Sequence, residues 1–296
     1  MKKYSPSTII FIIYLIAIVF LMLYKSVSLT PDRLLIVFLL GVIVLAKSKL
    51  KSFVKDWLPF VGLLLGYEIL RGLADGFGFK VHSQILIQAE ESLFGFLPTI
   101  KLQEIFYQPA IVHWYDVFFM LTYFTHFLYP FLIALYLWFN NREFFQKFTS
   151  ALLLTSFSAF IFFTLFPTMP PWMAGQDKII LPIHKIINET LDKTRLNHSL
   201  STFYQKLNPN PVAAFPSLHS GYVTLSLLTL LAYSPIIGLA FLPLPLAIWF
   251  GTVYMGEHYV VDLLGGALLA IICFIIVFKN EGIVRFLKTL MSRRQS

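Results

Sequence analysis

Gly256-Glu-His-Tyr-Val-Val-Asp-Leu-Leu-Gly-Gly-Ala-Leu-Leu-Ala-Ile-Ile-Cys-Phe-Ile-Ile-Val-Phe278 decides the class of this chain. From Leu263 to Phe278 no side chain carries a charge, and residues 259–278 have the length of about 20 residues that a helix needs to cross the hydrocarbon core. His258 and Asp262 stand at the entrance of the run, four positions apart and so on one helical face. Ionisable groups at a membrane boundary are costly and call for a functional reason. A second histidine, His219, has the same placement in Phe215-Pro-Ser-Leu-His-Ser-Gly-Tyr-Val-Thr224, at the edge of another apolar run.

The rest of the composition agrees. Of 296 residues 57% are hydrophobic and 13% charged, with 31 Phe, more apolar surface than a soluble domain of this size can bury. The expected fold is an all-α polytopic membrane protein of about eight transmembrane helices, with spans near 8–24, 34–46, 57–73, 115–139, 149–166, 218–234, 236–255 and 259–278. The first run follows Met-Lys-Lys but lacks a small-residue cleavage site, so it reads as an anchor helix. Lysine-rich 47–55 and the tail with Arg285, Lys288, Arg293 and Arg294 mark the cytoplasmic side. Both termini are therefore expected in the cytoplasm, with the loops 74–114 and 167–217 and the three residues His219, His258 and Asp262 on the outer face. The organisation expected is two N-terminal helices in 1–56, a six-helix catalytic membrane domain in 57–280, and a basic cytoplasmic tail in 281–296.

The net charge of +8 follows from this topology, and its scattered basic residues give no nucleic-acid interface. The tail Ile283-Val-Arg-Phe-Leu-Lys-Thr-Leu-Met also has the pattern of a short amphipathic helix on anionic lipid. The single cysteine, Cys273, excludes an intrachain disulfide and a cysteine metal site. Neither the histidines nor the acids cluster as a metal site would, so no metal or cofactor is expected.

Two histidines and a carboxylate on one membrane face point to phosphoryl transfer. A neutral imidazole attacks phosphorus when a carboxylate holds its other nitrogen, the arrangement open to His258 with Asp262. His219 then serves as the general acid. The helix start at Pro216-Ser217 offers N–H groups and a positive end to a phosphate, around Ser217, Ser220 and Gly221. His126, in Tyr123-Phe-Thr-His-Phe, lies inside a span and must face the bundle interior. His82, His113, His184 and His198 read as interfacial polar residues.

At these residues the chain resembles the type 2 phosphatidic acid phosphatase superfamily. The second signature of that family, Pro-Ser-x-His, stands here as Pro216-Ser217-Leu218-His219, and the third ends in His-x-x-x-Asp, here His258 to Asp262. The resemblance covers roughly the last six spans and implies a six-helix bundle with His258 as nucleophile, Asp262 as its orienter and His219 as acid. The family's basic first signature and its Ser-Arg pair are missing: the corresponding stretches read Phe166-Pro-Thr-Met-Pro-Pro-Trp-Met173 and Gly251-Thr-Val-Tyr-Met-Gly-Glu257. That pattern is similar to the inositol phosphorylceramide synthase branch and implies transfer of a phosphoryl-alcohol head group from a phospholipid donor to a lipid or polyol acceptor. The cation then has to come from elsewhere; Arg71, in Tyr67-Glu-Ile-Leu-Arg-Gly72, is the best placed, ahead of Lys178, Lys185, Arg195 and Lys206. Tyr67, His126, Trp172 and Asp116 are the expected substrate contacts, with Glu91 a further acid for polyol hydroxyls and residues 84–106 an interfacial lid. Water as acceptor would make the chain a lipid phosphate phosphatase instead. A transporter or scramblase would explain His126 and Arg71 but not the paired signatures.

Overall fold

A computed structural model of the chain describes residues 50–73, 78–194 and 210–279. The expected spans 8–24 and 34–46, the tail 281–296, His198, Arg195 and Lys206 lie outside the described residues. The chain falls into two units, 1–62 with 188–209 and 63–187 with 210–296. In the first, Phe53 stacks on Trp57 at 5.1 Å and Glu189 pairs with Lys193 at 3.6 Å. The site described below lies in the second.

Among the described residues the secondary structure is helical and no strand forms. The helices are α1 (Leu50–Leu73), α2 (Gln84–Phe94), α3 (Pro98–Phe106), α4 (Trp114–Phe124), α5 (Tyr129–Asn140), α6 (Arg142–Leu165), α7 (Pro171–Gln176), α8 (Ile186–Lys193), α9 (Leu218–Tyr233), α10 (Pro235–Phe241), α11 (Pro243–Tyr254) and α12 (Val260–Phe278). Three segments are long and apolar enough to cross a membrane, Arg142–Leu165, Pro235–Tyr254 and Val260–Phe278, and α4 with α5 makes a fourth if that bent pair is one span. Helix α9 is apolar but shorter. At about 1.5 Å per residue, α12 covers about 28 Å, close to the ~30 Å of a bilayer core.

Two spans differ from the apolar runs that announce them. The run 149–166 lengthens to 142–165 because Asn141 caps the helix, accepting the Phe144 N–H at 3.2 Å, and Glu143 pairs with Lys147 one turn on. The run 115–139 breaks: α4 passes through a 3₁₀ turn, Thr125–Phe127, and α5 leaves at 52°. Pro130, in the first turn of α5, has no N–H for the carbonyl one turn back, which is where a helix kinks. His126 therefore sits at a break in the span.

Helix α12 packs chiefly on α9 and α6, and α9 also touches α11 and α5. The α9–α12 crossing is close because both helices present glycine. The Gly266 Cα faces the Ser217 carbonyl so tightly that an added Cβ would stand 2.0 Å from its oxygen, and Gly221 faces the Gly266 carbonyl. Two bonds span the crossing, Ser217 N–H to Asp262 O at 3.0 Å and Ser220 Oγ to Leu263 O at 2.5 Å. This close packing at Gly266 and Gly221 is the feature that brings the two signature segments together.

Outside the long helices, three segments converge on Thr168. His82 donates to Pro167 O at 2.8 Å, Thr168 N–H to Val212 O at 2.8 Å, and Phe215 N–H to Thr168 Oγ1 at 2.8 Å. Helix α2 lies over this region, its inner face of Leu86 and Ile87 buried in a cluster with Leu97, Ala174, Tyr259 and Val261.

Candidate active site

The site grows from the turn between α11 and α12. Helix α11 ends at Tyr254, and Gly256 takes a left-handed φ of 78°, which only glycine adopts freely. A Cβ there would also stand 2.8 Å from Ile183 Cγ2 and 3.0 Å from the His184 carbonyl. The turn brings the Glu257 and His258 N–H groups back onto the Thr252 carbonyl, at 3.0 and 3.2 Å. The Pro-Pro-Trp segment presses on it from outside, with Trp172 N–H donating to Gly256 O at 3.0 Å. Gln103 of α3 clamps the same region: Nε2 donates to His184 O at 2.8 Å and Tyr254 O at 3.0 Å, while Oε1 accepts His184 N–H at 2.9 Å. The turn that carries His258 is thereby fixed by the Thr252 carbonyl, the Trp172 N–H and the Gln103 side chain.

Its ring enters a chain of hydrogen bonds. Nδ1 meets Asp262 Oδ2 at 3.3 Å, and the same oxygen accepts the Tyr259 N–H at 2.9 Å. With Asp262 as a carboxylate acceptor, Nδ1 carries the proton and Nε2 keeps its lone pair. That Nε2 lies 3.0 Å from His219 Nδ1, which is then the donor. Tyr123 stacks on the His219 ring at 4.4 Å and His126 packs against it at 3.9 Å. His126 donates from Nδ1 to Tyr123 O at 2.7 Å, since a carbonyl only accepts.

Three polar atoms beside this chain, Ser217 Oγ, His219 Nε2 and Asp262 Oδ1, are buried without a hydrogen-bond partner. Native proteins satisfy nearly all such atoms, so these three are candidate contacts for a bound group. Arg71 pairs with Glu68 at 3.2 Å with its side chain 14% exposed, and its charge is felt at Tyr67, Tyr123, Tyr222, His126 and His219. The structure therefore gathers His258, Asp262, His219, Ser217, His126, Arg71 and Tyr67 into one region.

Other expected residues have different surroundings. The Ser220 hydroxyl is engaged across the helix crossing, and Gly221 serves the same contact. Asp116 is buried at the start of α4, where Oδ2 accepts the His113 N–H at 2.8 Å and Oδ1 the Tyr254 hydroxyl at 2.6 Å. Both oxygens are thus taken up in capping and bracing. Trp172 lies under Lys185, whose Nζ is 3.9 Å above its ring and 4.0 Å from Glu257 Oε1. Burial pushes the Lys185 ammonium below its ordinary value, with the Glu257 charge opposing. Lys178 and Glu91 are exposed.

Sequence reasoning missed several neighbours. Tyr123 flanks His219, and Tyr222, one turn on from His219, shares a 2.7 Å hydrogen bond with Ser156 of α6. Their signal was available, because a tyrosine or serine inside a span seeks a polar partner. Glu90 of α2 left no such signal. Its side chain is fully buried and Oε1 accepts the N–H groups of Val260 and Val261, the first two of α12. Burial, with the Asp262 charge adding, raises its carboxyl from 4.5 to about 7.

A helical bundle whose signature histidines meet across two helix starts is the arrangement of a membrane phosphatase-type superfamily. The chain belongs to the PAP2 superfamily, whose model matches residues 84–276. It is similar to the inositol phosphorylceramide synthase catalytic subunit of Schizosaccharomyces pombe, 32% identical over 118 residues that make up 38% of this chain and 28% of that protein. It is also similar to the inositol phosphorylceramide synthase of Candida albicans, at 27% over 163 residues, 50% of this chain and 33% of that one. With the phosphoinositol dihydroceramide synthase of Bacteroides thetaiotaomicron it shares 25% identity over 275 residues, 88% of each chain. The chain thus spans a third or less of the fungal relatives it matches, but nearly all of the bacterial one. No solved structure matches it.

Proposed function

We propose that the chain is a membrane lipid phosphotransferase that moves a phosphoryl-alcohol head group, phosphoinositol above all, from a phospholipid to a lipid alcohol through a phosphohistidine on His258. The observation that carries this reading is the continuous Asp262–His258–His219 hydrogen-bond chain, with three orphaned polar atoms around it. The relatives named as phosphoinositol-transferring synthases support the choice of head group.

In the first half-reaction His258 Nε2 attacks phosphorus, and the phosphoester bond to the donor's glycerol oxygen breaks. His219 gives the departing oxygen its proton. Asp262 stays ionised and holds the Nδ1–H of the phosphohistidine. In the second half-reaction the acceptor hydroxyl attacks phosphorus, its proton goes to His219, and the N–P bond breaks, restoring neutral His258. His219 Nδ1 occupies the approach to His258 Nε2 at 3.0 Å, so the phosphate takes that place and His219 turns to meet the leaving oxygen. Arg71, whose charge acts on His219, supplies the positive charge, with Ser217 and the start of α9 as further phosphate contacts. Tyr67, His126 and Trp172 are the substrate contacts in this proposal.

The same proposal includes the topology: about eight spans, two of them in 1–56, a catalytic membrane domain in 57–280, cytoplasmic termini and a site at the outer leaflet. The positive-inside charge pattern supports it. Superfamily membership favours one second reading, hydrolysis of a lipid phosphate monoester with water as acceptor. Purified protein is given phosphatidylinositol labelled in the head group, with and without a short-chain ceramide, and phosphatidic acid in parallel. A labelled new sphingolipid, absent in His258→Ala, is the expected result. Phosphate release from phosphatidic acid alone would establish the hydrolase and overturn the transferase.

A further inference from the structure

The turn that carries His258 is followed at once by the start of α12, and a helix start leaves its first N–H groups without partners inside the helix. Here they are taken up by two carboxylates. Asp262, at the third helical position, accepts the Tyr259 N–H at 2.9 Å. The next two donors, on Val260 and Val261, converge on Glu90 Oε1, which reaches in from α2 some 170 positions earlier in the chain. Glu90 is wholly buried, and its other oxygen has no hydrogen-bond partner. A carboxylate removed from water this completely is costly and is retained where it does a specific job. The apolar cluster on the inner face of α2, with Leu97, Ala174, Ile179, Ile180 and Phe215, gives it no polar partner.

We propose that Glu90 is a positioning residue for the phosphoryl transfer, holding the start of α12 from α2 so that the His258–Asp262 pair is fixed in place and backed by a negative charge. The proposal rests on the phosphotransferase reading of His258. Residues 84–94, outside the signature segments, thereby become part of the active centre. Glu90 acts through its partners and touches no substrate.

The groups that face it decide how it responds to pH. From α12 these are Asp262 and, at its cap, the Tyr259 phenol; the turn before them carries His258 and Glu257. The residues of the apolar cluster packed on the inner face of α2 contribute no charge. Ionised, Glu90 is the stronger cap for a helix start and stabilises the positive charge that develops on His258 as it is phosphorylated. Protonated, it still accepts a hydrogen bond but loses both electrostatic effects. Activity should therefore carry an ionisation near neutrality that belongs to Glu90.

The test uses the full chain in detergent, with head-group-labelled phosphatidylinositol and short-chain ceramide, for wild type, Glu90→Gln, Glu90→Ala and His258→Ala from pH 5 to 9. Glu90→Ala should lower kcat at least about tenfold with KM changed less than about threefold, the split of an interaction made in the transition state. Glu90→Gln keeps the acceptor without the proton. It should recover most of that loss below pH 6 and lack the rise in rate through about pH 7 expected of wild type. A merely structural role would lower the yield of folded protein and leave the pH profile unmoved. Wild-type rate and profile in Glu90→Gln overturn the proposal, and this variant carries the test alone if Glu90→Ala does not fold. Persistent transfer by His258→Ala would instead overturn the phosphohistidine reading, whatever Glu90 does.

Discussion

Gly266→Ala tests whether the site depends on the α9–α12 crossing. A Cβ at this position would stand 2.0 Å from the Ser217 carbonyl oxygen, 2.9 Å from its carbon and 3.2 Å from the Gly221 nitrogen. All three are backbone atoms, so no rotamer change relieves the clash. A comfortable carbon–oxygen contact is about 3.3 Å, so the helices must part locally by about 1.3 Å. The Ser217–Asp262 bond at 3.0 Å and the Ser220–Leu263 bond at 2.5 Å cross the same gap and would be stretched towards breaking. His219, two residues past Ser217, would move with α9 and open its 3.0 Å approach to His258 to about 4 Å. Misplacement by about 1 Å costs on the order of a hundredfold in rate, and overpacking costs about 1–3 kcal/mol in stability. Gly265→Ala is the control, because its added Cβ meets the Phe215 ring at 2.3 Å, a side chain that can turn aside. Initial rates of head-group transfer, with size exclusion to confirm folded protein, should show about a hundredfold loss for the first and under about fivefold for the second. A monodisperse Gly266→Ala protein with wild-type kcat would refute the argument.

Asp262→Asn leaves the Tyr259 N–H an acceptor but cannot hold the His258 Nδ1–H with a charge, and transfer should fall about 10²- to 10⁴-fold without loss of fold by circular dichroism. Tyr254→Phe removes the 2.6 Å bond to buried Asp116; thermal melting should drop by the equivalent of about 1–3 kcal/mol while kcat stays within about threefold. A Tyr254→Phe rate as low as that of His258→Ala would put Asp116 in the chemistry. Glu90 has its own signature in stability. Its carboxyl is raised from 4.5 to about 7, so the folded state holds a proton that the unfolded state releases between those values. The contribution is full below pH 4.5 and is lost as pH rises through about 7, up to about 3 kcal/mol in all. Melting curves of wild type against Glu90→Gln should diverge by that trend across pH 5 to 8, and parallel curves would refute it.

The apolar runs were legible because a span is a local property: charge-free length is enough to locate α6, α10 with α11, and α12. The two signatures were legible for the same reason, each being a short motif with its own spacing. Three other features rest on pairings between distant segments, which leave no local periodicity. Glu90 meets Val260, Gln103 meets His184, and Asp116 meets Tyr254, each far apart in sequence. In the sequence alone these polar residues look like solvated loop positions or ligands for a substrate. The break at His126 was signalled by Pro130, but a continuous apolar run from 115 to 139 masks a kink when only hydropathy is followed.

The lost basic signatures acquire a physical counterpart in how the two helix starts are used. The start of α12 has its N–H groups taken by Asp262 and Glu90, so the nucleophile stands on the side that carries negative charge. The start of α9 has no such carboxylate: its cap residue Ser217 makes no side-chain capping bond, and its hydroxyl is an orphan. Arg71, paired with Glu68, acts on His219 of this same helix, and both act on Tyr222 one turn further on. One helix start is thus neutralised by acids that raise the nucleophile's tolerance for positive charge, and the other is left open to an anion. In the proposed site a phosphate between them would meet His258 on the side of the carboxylates and His219, Arg71 and Ser217 on the other. In the proposed reaction charge flows along that same direction, with positive charge developing on His258 and negative charge on the oxygen leaving towards His219. A field already aligned with that flow needs no reorganisation at the transition state, which is how a site with so few cations can stabilise phosphoryl transfer.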